Sequence, residues 1–270
     1  MQTPSFSGIY FVPVGGLGNR MRAMSSAIRL AEDHKVKLTI GWYQDWGMGC
    51  KFADIFEPLT CEVRDEKRWA YYLLDRPRKK NLFLPRLYEQ WQFDKCIYED
   101  VLGYKEVDFS FLSNVHNAWM ASCKAFYREQ DISLSFFRPV ASLRNAIDRA
   151  TADFPSRVVG MHIRRTDHQQ SISQSPTDAF QKVIDQLDDD ISVYLASDDE
   201  HEKQDLKSRY GNRLITRNGL LGRGSKVGIQ NAVIDMYILS ATERIYGSKG
   251  SSFGQMAALI GNKELIEVTT

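Results

Sequence analysis

From residue 157 to 268 the sequence alternates short apolar runs with segments of helical period, and that alternation is the mark of a parallel sheet covered by helices. Residues 157–163, 191–196, 213–216, 244–247 and 264–268 read as strands. Residues 176–187, 200–210, 229–239 and 251–260 read as the helices between them. Ser175, with Pro176 next and Asp178 three residues on, predicts a capped helix start, and Gly211 predicts a helix end. The first forty residues follow the same plan. A strand over 9–14 breaks at Gly15-Gly16-Leu17-Gly18, a helix carries Met21, Met24, Ile28 and Ala31 on one face, and a strand follows over 36–42. We therefore expect two Rossmann-like α/β domains, 1–138 and 139–270, with a joining helix over 139–151.

Residues 43–135 show few periods and predict insertions and short helices in the first domain. Within them, the stretch 64–86 is basic and aromatic: Arg68, Trp69, Tyr71, Tyr72, Arg76, Arg78, Lys79, Lys80 and Arg86. Two readings apply. It is a solvated basic face with its aromatics turned inward, or an acceptor-binding wall on which sugars stack.

Charge narrows the function classes. The 35 Lys and Arg against 34 Asp and Glu leave a net charge of +1, which gives no general drive toward nucleic acid or an acidic membrane. An anionic ligand has to be held by a few placed residues. The four cysteines, Cys50, Cys61, Cys96 and Cys123, form no Cys-x-x-Cys pair, and the expectation is reduced thiols in a cytoplasmic protein. Residues 1–8 are polar, and no stretch approaches the ~20 apolar residues of a membrane span. A peripheral place at the inner membrane face is consistent with this.

The strongest chemical signal is Val158-Val159-Gly160-Met161-His162-Ile163-Arg164-Arg165-Thr166-Asp167. A buried strand runs straight into two arginines, which are costly to bury without anions. Arginine offers a permanently charged fork of donors that suits phosphate. A diphosphate at the strand's carboxyl end accounts for the pair, and so does an ion pair between Arg165 and Asp167.

This stretch resembles the first motif of the α1,6-fucosyltransferases, the animal core-fucose enzymes and bacterial nodulation enzymes among them, and more distantly that of the α1,2- and protein O-fucosyltransferases. Tyr194-Leu195-Ala196-Ser197-Asp198-Asp199 is similar to the second motif. Ala232–Ser240 followed by Gly250-Ser251-Ser252-Phe253-Gly254-Gln255 resembles the third, and Gly15–Arg20 the glycine loop. The resemblance covers roughly residues 10–42 and 157–260. It implies a GT-B-like fold, two Rossmann-like domains facing across a cleft, and inverting, metal-independent transfer of L-fucose from GDP-β-L-fucose to a glycan or lipid-linked saccharide.

By the same resemblance, Arg164 grips the diphosphate, with Arg165 as its helper and Asp167 beside the chemistry. His162 and Asp235 fall at guanine-side positions, since a carboxylate can accept from guanine N1 and N2 together. Ser251 and Ser252 open a helix and can hold phosphate oxygens. Gly16, Gly18 and Asn19 approach the donor from the first domain. Asp198 is read as a strand-end residue near the donor and Asp199 as exposed, with no metal site.

One departure bears on mechanism. Where the core-fucose enzymes carry a glutamate proposed as base, this chain has Ile172. Asp45, Asp167 and His168 are the candidates that remain, unless a leaving phosphate oxygen takes the proton. Alternatives stay open: another GDP- or UDP-sugar, or a transferase fold that binds without catalysing. A nicotinamide enzyme ranks low, because Met21 occupies the third glycine position of the dinucleotide fingerprint.

Overall fold

The computed structural model describes residues 7–66, 69–166 and 169–270. The chain divides into two compact units, Met1–Arg138 and Pro139–Thr270.

The first unit is built on β1 (Gly8–Pro13), α1 (Leu17–His34), β2 (Leu38–Trp42), β3 (Glu62–Asp65), α2 (Leu84–Gln92), β4 (Lys95–Ile97) and β5 (Asn117–Ser122). All strands are parallel, in the order β3-β2-β1-β5-β4. Helix α1 packs on β1 and β2. Tyr10, Val12 and Trp119 meet Ala70, Leu74 and Phe93 in a second apolar cluster. Trp119 donates its indole N–H to the Leu74 carbonyl at 2.9 Å, so this large central side chain is buried without an unmet donor. Gly15, at φ +89°, makes the left-handed turn between β1 and α1.

The middle of the chain is more regular than its sequence predicts. The insertion contributes three of the five strands, and β5 lies inside the sheet, between β1 and β4, buried along its length. Its residues, Asn-Ala-Trp-Met-Ala-Ser, lack the β-branched side chains that advertise a strand. The basic and aromatic stretch is also turned differently from the first reading. Trp69 and Tyr72 are exposed, while Arg76 pairs with Glu99 and Arg78 with Asp75 and Asp45. Arg68 lies outside the described residues.

The second unit runs α3 (Ala141–Ala152), β6 (Val158–Ile163), α4 (Gln169–Gln174), α5 (Thr177–Gln186), β7 (Ser192–Ser197), α6 (Glu200–Tyr210), β8 (Leu214–Thr216), α7 (Lys226–Ser240), β9 (Ile245–Ser248), α8 (Ser252–Gly261) and β10 (Leu265–Val268). Its sheet, again all parallel, has the order β10-β9-β6-β7-β8. Alternate residues of β6 serve opposite faces. Val159, Met161 and Ile163 join Phe180 and Ile184 of α5 and Leu206 of α6 in one core. On the other face a side chain at Gly160 would meet Thr242 and Leu239 at 2.7 and 2.9 Å, so α7 packs directly on the strand backbone. The sheet is covered on both faces, as the run of apolar strands requires.

The expected cap at Ser175 is not made. Pro176 is the N-cap of α5, and the buried Ser175 hydroxyl accepts from the Lys249 N–H at 2.9 Å instead.

Candidate active site

In an open parallel sheet the ligand crevice opens at the carboxyl ends of neighbouring strands whose connections run in opposite directions. In the second unit those strands are β6 and β9, since β7 and β8 follow on one side of β6 while β9 and β10 lie on the other. The residues leaving them are Arg164 and Lys249. The Arg164 N–H donates to the Ser248 hydroxyl at 3.0 Å, which ties the two strand ends together. The buried Ser171 hydroxyl donates to the Lys249 carbonyl at 2.6 Å, so with Ser175 it holds the Lys249 backbone on both sides. Gly250, at φ +68°, then turns the chain into α8 and donates its N–H to Glu267 at 3.0 Å.

The two arginines have different surroundings. Arg165 is enclosed. Its guanidinium donates to the Arg164 carbonyl at 2.8 Å, the Ser175 carbonyl at 3.1 Å, Thr177 Oγ1 at 3.1 Å and Glu202 Oε1 at 3.1 Å. It also lies over the Phe180 ring, 5.8 Å from the centroid. The pair with Asp167 weighed from the sequence falls outside the described residues, as do Asp167 and His168 themselves. Arg164 ion-pairs with Asp198 Oδ2 at 3.0 Å. Burial lowers its pKa, an effect that Asp198 opposes.

Asp198 binds three consecutive residues. Oδ1 accepts from the Arg165 N–H at 2.7 Å; Oδ2 accepts from the Thr166 hydroxyl at 2.6 Å as well as from Arg164. Burial alone would raise its pKa, but Arg164, Thr166 and the Arg165 amide outweigh it, and the carboxyl titrates below the usual range. Asp199, expected to be exposed, is half-buried as the N-cap of α6, where it accepts from the His201 N–H at 2.8 Å.

His162 points from β6 toward α8. Its ring stacks on Phe253, centroids 4.6 Å apart, and Ser251 Oγ lies 3.5 Å from Nδ1. Burial pushes its pKa down to about 4, with Arg164 and Arg165 acting in the same direction and Asp198 against, so the imidazole is neutral at physiological pH. Ser251 is the N-cap residue of α8 and Ser252 its first helical residue, without a side-chain cap bond.

Asp235, on α7, is buried. It accepts from the Tyr194 hydroxyl and from Arg217, both at 2.8 Å and both on Oδ1. Burial raises its pKa against the pull of Arg217 and Tyr194. Sequence reasoning missed Arg217 and Ser248. Both are ordinary residues just beyond or at the end of a short strand, and only the register shows what they reach.

In the first unit the glycine loop is held by the buried Arg20, which the sequence shows only as the end of a motif. Arg20 donates to the carbonyls of Gly15 and Tyr43, each at 2.8 Å, and pairs with Asp45 at 3.2 Å. Burial lowers its pKa to about 10, with Asp45 and Asp75 opposing. Asp45 also meets Arg78 at 3.6 Å and accepts from the Gly47 N–H at 2.8 Å, so this candidate base is part of an ion-pair network. Asn19 accepts from Arg22 at 3.0 Å, Gly16 is the N-cap of α1, and Gly18 is buried in its first turn. Among the described residues no cluster of three or more His, Cys, Asp or Glu is placed to hold a metal ion, and no helix is long and apolar enough to cross a membrane.

Solved structures share this architecture. The NodZ α1,6-fucosyltransferase co-crystallised with GDP, a protein known from Bradyrhizobium, is 18% identical, with 97% of this chain and 95% of that one covered and a TM-score of 0.63. A point variant of Arabidopsis thaliana FUT1 in complex with GDP is 14% identical, covering 98% and 71%, with a TM-score of 0.65. POFUT1 in complex with GDP-fucose is 10% identical, covering 97% of each chain, with a TM-score of 0.53. No protein-family model and no curated protein matches the sequence. The likeness is one of fold: the chain has the α/β, GT-B architecture of these fucosyltransferases, as the resemblance in its motifs implies.

Proposed function

We propose that this chain is an inverting glycosyltransferase that moves L-fucose from GDP-β-L-fucose to a saccharide or lipid-linked saccharide acceptor. The observation that carries the reading is Arg164 at the β6–β9 switch point, its backbone fixed by Ser248 and its charge matched by Asp198. The GDP and GDP-fucose complexes of the NodZ and POFUT1 structures support the choice of donor.

In this reading the diphosphate sits between Arg164 and the N-terminus of α8, where Ser251, Ser252 and free helix amides meet phosphate oxygens. The bond from sugar C1 to the β-phosphate oxygen breaks, and its electron pair leaves with GDP. The acceptor oxygen bonds to C1 from the opposite face, and its proton passes to a base, for which Asp167 and His168 are the candidates nearest in sequence to Arg164. Arg164 meets the charge that grows on the departing phosphate, so it stabilises the transition state more than the ground state. Its fixed charge is the reason we read the transfer as metal-independent.

Arg165 is a positioning residue. It grips the Arg164 carbonyl and the start of α5, and its own guanidinium is already used. Neutral His162 and Asp235 line the guanine side. Asp235 offers Oδ2, because Oδ1 already serves Tyr194 and Arg217. We assign acceptor binding to the first unit, where Gly16, Gly18 and Asn19 form the glycine loop that opens α1.

The test is thermal stabilisation by GDP, UDP, ADP and NAD with EDTA present, followed by GDP-fucose turnover. Ligand at ~100 times its Kd adds about 2.7 kcal/mol. We expect a response to GDP alone, lost in Arg164→Ala, and turnover lower in that variant by at least about 100-fold, the size of one oxyanion-type contact. A response to UDP or NAD but not GDP would overturn the donor. GDP binding without turnover on any acceptor would favour a binding protein, the reading that Ile172 keeps open.

A further inference from the structure

The surface of the first unit carries a helix turned inside out. Helix α2 exposes Leu84, Leu87 and Trp91, one stripe at helical spacing, and buries Pro85 and Glu89. Leu87 and Trp91 are each 71% exposed. A surface helix ordinarily does the reverse. The stripe continues into the preceding turn, where Leu82 is 73% and Phe83 51% exposed. Both residues have left-handed backbone conformations, φ +54° and +55°, which non-glycine residues rarely adopt. The chain accepts that strain and displays two large apolar side chains to water. Single exposed leucines need no explanation, but five large apolar residues within ten positions do.

Within residues 79–91 the exposed charges are of one sign. Lys79 and Lys80 are exposed and make no ion pair among the described residues. Arg86 is exposed beside them, its guanidinium 5.3 Å from the Tyr98 ring centroid. The acidic residue within the helix, Glu89, is buried, and burial raises its pKa to about 9, so it adds no compensating charge at neutral pH.

We infer that residues 79–91 form a docking surface for an anionic lipid bilayer, with the apolar stripe entering the headgroup boundary and the three cations meeting lipid phosphates. Apolar residues rimmed by Lys and Arg, with a tryptophan at the boundary, are the composition of interfacial helices. A second copy of the chain fits less well, because a symmetric contact would bury the same basic patch from both copies with no acidic residue exposed within 79–91 to compensate it. The inference does not depend on the donor or on the reaction.

The experiment is co-sedimentation of the full chain with vesicles of phosphatidylcholine, with and without phosphatidylglycerol, at low and high salt. We expect binding to the anionic vesicles that high salt weakens. Near an anionic surface each cation is worth about fivefold, so Lys79→Gln, Lys80→Gln and Arg86→Gln together should lower the partition coefficient by about 100-fold. Phe83→Ser with Leu87→Ser should abolish binding while the thermal midpoint stays within a few degrees of wild type. No binding to anionic vesicles, or binding that neither set of substitutions changes, would overturn the inference. So would sedimentation velocity showing a dimer that the serine variant dissociates.

Discussion

The tandem arginines should separate cleanly under mutation. Arg165 is 9% exposed and its Glu202 partner 13%. Removing one member of a buried pair leaves the other charge without compensation, which costs about 3–5 kcal/mol. Arg165→Ala also frees the carbonyls of Arg164 and Ser175, so the upper half of that range is expected. For a unit of this size the loss corresponds to a fall of roughly 10–20 °C in thermal midpoint. Arg165→Lys keeps the charge but not the fork that reaches four acceptors, and should recover about half of the loss. Arg164→Ala removes the ion pair with Asp198, while Asp198 keeps the Arg165 amide and the Thr166 hydroxyl. Its cost should be only about 1–2 kcal/mol. Unfolding in urea, followed by far-UV circular dichroism, measures both. GDP binding, scored on protein that is still folded, should vanish in Arg164→Ala and persist, weakened, in Arg165→Lys. Equal destabilisation by the two alanine variants would refute the division of labour, as would an Arg165→Ala protein of wild-type stability that fails to bind GDP.

Two predictions concern pH. Glu89 has a folded pKa of about 9 against about 4.3 unfolded, so its contribution is most favourable below the unfolded value and is lost as pH rises toward 9. Glu89→Gln should flatten that decline and stabilise the protein at pH 7 by up to about 3 kcal/mol, read as the difference in unfolding free energy between variant and wild type across the pH range. His162 has the opposite slope. Its pKa falls from about 6.5 unfolded to about 4 folded, so stability present above pH 6.5 is lost as the solution is acidified toward 4. His162→Gln should remove up to about 3 kcal/mol of acid sensitivity, and an unchanged acid limb in the variant would show that another group carries it.

How much of this was legible depended on how loudly each residue speaks alone. The strands of the second unit are dense in Val, Ile and Leu, and their positions come through to within a residue or two. Strand β5 is as buried as any, but Ala, Ser, Trp and Met fill it, and a short run of those residues has no strand signature. At the site, Arg164, Arg165, His162 and Asp198 stand out because two strand ends deliver them, β6 the first three and β7 the aspartate. The sequence could not say which of the two arginines is enclosed. That depends on Glu202 and Thr177, which lie on α6 and at the start of α5 and reach Arg165 only when the sheet closes. Ser175 shows the same limit: a serine before a proline looks like a helix cap, but tertiary packing gives its hydroxyl to Lys249.

The carboxylate of Asp198 gives Arg164 a resident counter-ion. Any anion that approaches Arg164 has to displace or share with a carboxylate already 3.0 Å from the guanidinium. A lone chloride or a small organic acid gains little by that exchange, since it only replaces one negative charge with another. A diphosphate brings several oxygens and can bond to the amides of α8 at the same time, so it gains contacts that Asp198 cannot make. In the proposed reading, discrimination therefore begins before any sugar or base is read, because the Arg164–Asp198 pair favours a diphosphate over a simple anion.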